Sequence, residues 1–161
     1  MPTILIIDDE AGIRTLLRSV LEAAGHEVKE AVNGRQGLDL YRRRPTDLII
    51  TDIDMPELNG LDMMLELTRQ FLHAKVIAIS GVGGETNVLD VAKLFGARRT
   101  FHKPFSMPQL LDAVRYELAH KRRLPSAGEE ASGEYNPAFG TTSDLDVQIT
   151  RRLFLSVALS H

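Results

Sequence analysis

Asp8-Asp9-Glu10, Asp52 with Asp54 two positions on, Ser80 and Lys103-Pro104-Phe105 are the residues of this 161-residue chain whose types suit chemistry. A carboxylate can attack phosphorus or hold a hard cation, a hydroxyl can donate to an anionic oxygen, and an ammonium can offset the charge of either. Two carboxylates about 4 Å apart repel by roughly 4 kcal/mol at an effective dielectric near 20, so a cluster of three needs relief. Raised pKa values, Lys103 or a divalent cation would each supply it. One or two carboxylates with positions left for water suit Mg2+. An aspartate beside Mg2+, flanked by a lysine and a hydroxyl, is equipped for phosphoryl transfer, in which a protein mainly positions groups and balances charge. Taken singly, each residue has a plainer reading: Asp8-Asp9 as a helix cap, Ser80 before Gly81 as a turn former, Lys103 before a proline as a solvated loop charge.

What favours chemistry is where the elements place these residues. Thr3 to Ile7, Asp47 to Thr51 and Lys75 to Ile79 are short, apolar, branched runs that suit strands buried on both faces. His26 to Val32 and Arg98 to His102 predict two more strands. Between them lie helical stripes: Ile13, Leu16, Leu17, Val20, Leu21 and Ala24, stopped by Gly25; Leu38 and Tyr41, ending before Pro45; Leu61, Met64, Leu65, Thr68 and Leu72; Val88, Val91, Ala92 and Phe95, stopped by Gly96; and Met107, Leu110, Leu111, Val114 and Leu118. Ser106 and Gln109 predict a capping box at the start of the last helix, with Pro108 in its first turn. Five strands alternating with five helices predict an α/β protein with a doubly wound, five-stranded parallel sheet. Ligands of such sheets bind beyond the carboxyl ends of the strands. Three of those ends deliver Asp8-Asp9, Asp52 and Lys103 to one rim, and Ser80 follows the fourth strand.

Asp8-Asp9, Asp52 with Met55-Pro56 and Asn59-Gly60 after it, Ser80 and Lys103-Pro104-Phe105 together resemble the response-regulator receiver domain of two-component signal transduction. The resemblance covers residues 1–123. It implies a flavodoxin-like strand order 2-1-3-4-5 and a stand-alone regulator that signals by conformational change. Asp52 would be the phosphoacceptor, taking a phosphoryl group from a histidine kinase or phosphotransfer protein in a Mg2+-dependent reaction. Asp9, Asp52 and the backbone carbonyl of Asp54 would hold the Mg2+, with Asp8 acting through water. Lys103 would pair with the phosphoryl oxygens, Ser80 would swing in to hydrogen-bond them, and the Lys103-Pro104 bond would be cis. To attack phosphorus Asp52 is expected to be ionised and exposed. Self-catalysed transfer and autodephosphorylation are the only catalysis implied. The output would be contact with a downstream protein, or a homodimer formed through the fourth helix, fifth strand and fifth helix or through the C-terminal segment.

Two positions depart from the family pattern. An aromatic residue usually stands three positions before the lysine; here that position is Thr100, with Phe101 next and expected on the opposite face. Asp54 places an acidic side chain two residues after the acceptor, where it could steer a hydrolytic water. Two alternatives follow. Thr100 would suit an interaction module that works without phosphorylation. Asp52 and Asp54 resemble the nucleophile-and-acid pair of haloacid-dehalogenase-type phosphatases, although that motif normally follows the first strand.

Residues 124–143, rich in Gly, Ser, Glu, Pro and Thr, read as a flexible linker. Residues 144–161 turn apolar again with a period that fits both strand and helix, and are too few for a DNA-binding output domain. A formal net charge of −3 argues against nucleic acid as a partner, and the basic run His120 to Arg123 is explained by a helix C-terminus. The chain has no cysteine, which excludes disulfides and thiolate metal sites. No apolar run matches a signal core or membrane span, so the cytoplasm is the expected location.

Overall fold

The computed structural model describes residues 1–56, 60–81 and 88–120. The chain divides into two units, Met1–Arg122 and Arg123–His161, and the expected linker and C-terminal segment lie outside the described residues.

Five strands, β1 (Thr3–Ile7), β2 (Glu27–Ala31), β3 (Leu48–Asp52), β4 (Val76–Ser80) and β5 (Ala97–His102), alternate with five helices: α1 (Ala11–Ala23), α2 (Gly34–Arg43), α3 (Gly60–Gln70), α4 (Val88–Leu94) and α5 (Met107–Ala119). All ladders are parallel and the strand order is 2-1-3-4-5. Side-chain alternation along β1 divides the core in two. Leu5 and Ile7 join Leu38, Tyr41, Met63, Met64, Leu67, Leu89 and Ala92 from α2, α3 and α4. Ile4 and Ile6 join Leu17, Leu21, Leu110 and Val114 from α1 and α5.

The helices stop where the sequence provides for it. Gly25 and Gly96 take left-handed φ values of 88° and 101°, which end α1 and α4 at little steric cost. The Asn33 side chain accepts the Gln36 amide at 2.8 Å and caps α2. At α5 the expected capping box is not formed. Ser106 is the N-cap, but its side chain makes no cap hydrogen bond, and its backbone carbonyl accepts the Leu110 amide instead.

Three details differ from the sequence reading, and two of them bear on the site. The ladders of β3 and β4 run one residue further than expected, with Asp52 opposite Ile79 and the Ile53 amide donating to the Ile79 carbonyl at 2.8 Å. Asp52 and Ser80 are therefore the last residues of their strands and not loop residues. The buried stripe of α3 is Gly60, Met63, Met64 and Leu67, whereas Leu72 is exposed. The cause is a close approach: a Cβ on Gly60 would lie 2.3 Å from the Asp52 carbonyl oxygen and 2.7 Å from the Ile53 Cα. That contact sets which side of α3 faces the sheet. In β5 the ladder pairs Val76 with Ala97 but Ile77 with Arg99, so Arg98 is an extra residue on that strand.

Away from the carboxyl ends of the strands, the buried Glu117 carboxylate of α5 accepts from Arg98 at 3.0 Å and from Arg99 at 3.2 Å. Lys75 donates to the Glu117 backbone carbonyl at 2.6 Å. These pairs tie α5 to the edge strand β5 and satisfy an acid that would be costly to bury alone. The sequence stripe passed over Glu117, because a glutamate between two apolar positions reads as a solvated residue.

Candidate functional site

The carboxyl ends of β1, β3, β4 and β5 meet at one rim. Asp8 follows β1 directly, and its Oδ1 accepts the Glu10 amide at 2.8 Å, which folds the chain back toward the sheet before α1. Asp52 ends β3, and its Oδ1 accepts the Asp54 amide at 2.9 Å. Lys103 follows β5, and its amide donates to the Ser80 carbonyl at 2.7 Å, which locks the lysine backbone to the end of β4. The Lys103-Pro104 peptide is cis, as expected.

The lysine side chain is the hub. Its Nζ lies 2.8 Å from Asp52 Oδ2, 2.9 Å from Glu10 Oε1 and 3.3 Å from Asp8 Oδ2. Burial disfavours that charge. The hydrogen bonds to Asp52 and Glu10 and the negative field of Asp8 and Asp52 outweigh it, and hold Lys103 above its ordinary pKa. Asp8 is pushed the other way from a typical buried salt-bridge acid. Desolvation is the largest influence and the neighbouring Asp52 charge adds to it, so its pKa is raised despite the Glu10 amide and Lys103.

Asp8, Glu10 and Asp52 each offer a carboxylate oxygen, and these oxygens lie within 4.8 Å of one another. Such a set of hard oxygen donors fits a small divalent cation. Glu10 follows Asp8-Asp9 at the end of the first strand and is not among the ligands that the resemblance implies. Asp9 is exposed and stands outside this group of three; its backbone carbonyl accepts from Arg14 at 3.1 Å. The expectation of an exposed acceptor is not met. Asp52 is only 3% exposed, because β3 is shifted by one residue to include it and Lys103 closes over Oδ2.

The remaining expected residues are also placed. Ser80 is buried, and its Oγ donates to Asp54 Oδ2 at 2.8 Å. The Asp54 carboxylate thus faces the end of β4, which gives no support to its acting as a general acid over Asp52. Thr100 pairs with Ala78 on the side of the sheet covered by α2, α3 and α4. Phe101 packs on the other side and meets the Phe105 ring edge-on at 6.3 Å, so the two faces are divided as strand alternation predicts.

Charge crowding at the rim leads to a stability prediction. Asn at position 8 can still accept the Glu10 amide through its side-chain oxygen while removing one desolvated negative charge. Asp8→Asn is expected to stabilise the Mg2+-free protein by about 1–2 kcal/mol, raising Tm by roughly 3–8 °C. The sign with pH follows from the raised pKa. The folded state holds the Asp8 proton more tightly than the unfolded chain, so the penalty is full above the folded pKa. It fades as pH falls through that value and is gone below the ordinary aspartate value of 3.8. The gap in Tm between wild type and variant should therefore narrow on acidification, as calorimetry at several pH values would reveal.

A doubly wound sheet thus brings three carboxylates, a hydroxyl and a lysine to its carboxyl rim, where ligands of such sheets bind. The model of the response regulator receiver domain matches residues 4–115, and the chain belongs to that family. It is 36% identical over 112 residues to the chemotaxis protein CheY of Thermotoga maritima, covering 69% of this chain and 92% of that protein. It is 33% identical over 118 residues to the sporulation initiation phosphotransferase F of Bacillus subtilis, covering 73% and 94%. A receiver-domain crystal structure from Clostridium thermocellum superposes with a TM-score of 0.69 at 30% identity, covering 74% of this chain and 95% of the other. The fold is thus that of a receiver in two-component signalling. Among the described residues, no helix is long and apolar enough to cross a membrane.

Proposed function

We propose that this receiver accepts a phosphoryl group on Asp52 from a histidine kinase or phosphotransfer protein and passes the signal on by changing its contacts with a protein partner. The observation that carries the reading is the 2.8 Å pair between Asp52 Oδ2 and Lys103 Nζ inside a three-carboxylate cluster. An Asp52 oxygen attacks phosphorus, a P–O bond forms as the P–N bond to the donor imidazole breaks, and the imidazole nitrogen keeps the bonding pair. Hydrolysis later breaks the P–O bond, returns the carboxylate and releases inorganic phosphate.

Asp9, Asp52 and the Asp54 backbone carbonyl would hold Mg2+, with Asp8 acting through water and Glu10 within reach of the same place. When bound, that ion offsets the negative charge brought by the phosphoryl group. Lys103 exchanges its Asp52 contact for the arriving phosphoryl oxygens, which uncovers the nucleophile and balances part of the new charge of roughly 1.5 to 2 units. Ser80 donates to the same oxygens.

The partner surface in this reading is the one formed by α4, β5 and α5. These elements expose Leu94 and Tyr116, with the Arg99 guanidinium 4.8 Å over the Tyr116 ring and the His120 ring stacked against it at 4.0 Å. Incubation with acetyl phosphate and Mg2+ tests the proposal. The expected result is one phosphoryl group, acid-stable and base-labile, mapped by mass spectrometry to the peptide containing Asp52 and lost when a chelator is present. A label on any other residue would discard the assignment.

A further inference from the structure

Asp54 is tied to the site twice. Its amide donates to Asp52 Oδ1 at 2.9 Å, while its Oδ2 accepts both the Ser80 hydroxyl at 2.8 Å and the Gly81 amide at 2.5 Å. The carboxylate therefore occupies two donors at the end of β4 with its own negative oxygen. Ser80 is 3% exposed, so its hydroxyl has little water to fall back on if the contact breaks. Gly81 sits beside the same oxygen, which a Cβ there would meet at an ordinary contact distance of 3.4 Å.

The geometry points to Asp54 as a positioning residue that acts through Ser80. Its carboxylate is an internal stand-in for the phosphoryl group, holding the Ser80 hydroxyl and Gly81 amide until a phosphoryl oxygen displaces it. This rests on the reading of Asp52 as acceptor. Charge-assisted hydrogen bonds are the strong ones, so the exchange is close to even only because the incoming group is also anionic. The resting contact lowers the apparent affinity for any phosphoryl-like ligand, because the fraction of molecules with Ser80 released is small. It also gives the acidic side chain a job other than steering water.

Beryllofluoride, a mimic of an aspartyl phosphoryl group, is the probe. Its binding in saturating Mg2+ would be followed by the Gly81 amide resonance in wild type, Asp54→Ala, Ser80→Ala and the double variant. Removing the stand-in is expected to tighten binding about tenfold, the equivalent of one hydrogen bond to a charged group. In the Ser80→Ala background the gain should shrink to less than about threefold, since the held donor is gone. Before any ligand is added, the Gly81 amide proton of Asp54→Ala should lie upfield of the wild-type position while the other amides keep their folded dispersion, a combination that neither a loss of folding nor a bulk charge effect produces.

A full tenfold gain that persists without Ser80 would mean simple relief of charge repulsion and would overturn the inference. No gain in Asp54→Ala, with the wild type still labelled by acetyl phosphate, overturns it alone. A wild type that neither binds the probe nor takes the label overturns the acceptor reading and this inference together.

Discussion

Asp52→Asn will take up no phosphoryl group from acetyl phosphate above background, a fall of about three orders of magnitude or more in labelling rate. The amide is close in shape and can still accept the Asp54 amide, but it has no anionic oxygen with which to attack phosphorus. The loss cannot be put down to unfolding. The substitution removes one of three clustered carboxylates while Lys103 keeps Glu10 and Asp8 as partners, so Tm in the absence of Mg2+ should hold or rise. The two readouts moving in opposite directions is the signature of a group kept for chemistry at a cost in stability. Labelling of the variant at the wild-type rate would place the nucleophile elsewhere in the cluster, on Asp8 or Glu10.

Gly60→Ala will have the largest effect on the fold. The new methyl group would be driven to 2.3 Å from the Asp52 carbonyl oxygen and 2.7 Å from the Ile53 Cα, and backbone cannot turn aside as a flexible side chain can. Relief requires α3 to lift from the sheet, which uncovers Met63, Met64 and Leu67, each now fully buried. The expected cost is about 3 kcal/mol, or roughly 10 °C or more in Tm, and phosphoryl uptake should fall as the end of β3 shifts. Gly12→Ala is the control. Nothing lies within 4 Å of the added Cβ, and α1 should gain about 0.5–1 kcal/mol from better helix propensity. Equal and small effects of the two substitutions would contradict the packing described at Gly60.

Much of this was legible in the sequence for identifiable reasons. Strands buried on both faces are short apolar runs, so β1 could be read to the residue, and Gly25 and Gly96 marked helix ends through a conformation other residues avoid. What escaped was set by contacts between distant segments. The extra ladder residue that makes Asp52 and Ser80 strand ends depends on β3 and β4 supporting each other. The rotation of α3 depends on Gly60 meeting the β3 backbone, and a glycine after Asn59 reads locally as a turn. Glu10 was not expected among the ligands because the resemblance assigns them to Asp9, Asp52 and Asp54, and only the fold brings its carboxylate beside Asp8, Asp52 and Lys103. The burial of Asp52 was unforeseen for the same reason, since Lys103 covers it. The pairing of Asp54 with Ser80 has no local signal at all.

The pin formed by Glu117, Arg98 and Arg99 has a consequence for how copies of this molecule can meet. An outermost strand with free backbone groups invites a neighbour to extend the sheet. Any chain laid along β5 would face two guanidinium groups, and drawing them toward it would strip the buried acid of its counter-charges. A ladder continued onto a second molecule is thereby penalised at that margin. The same grip secures α5 against the edge of a sheet that is five strands wide among the described residues.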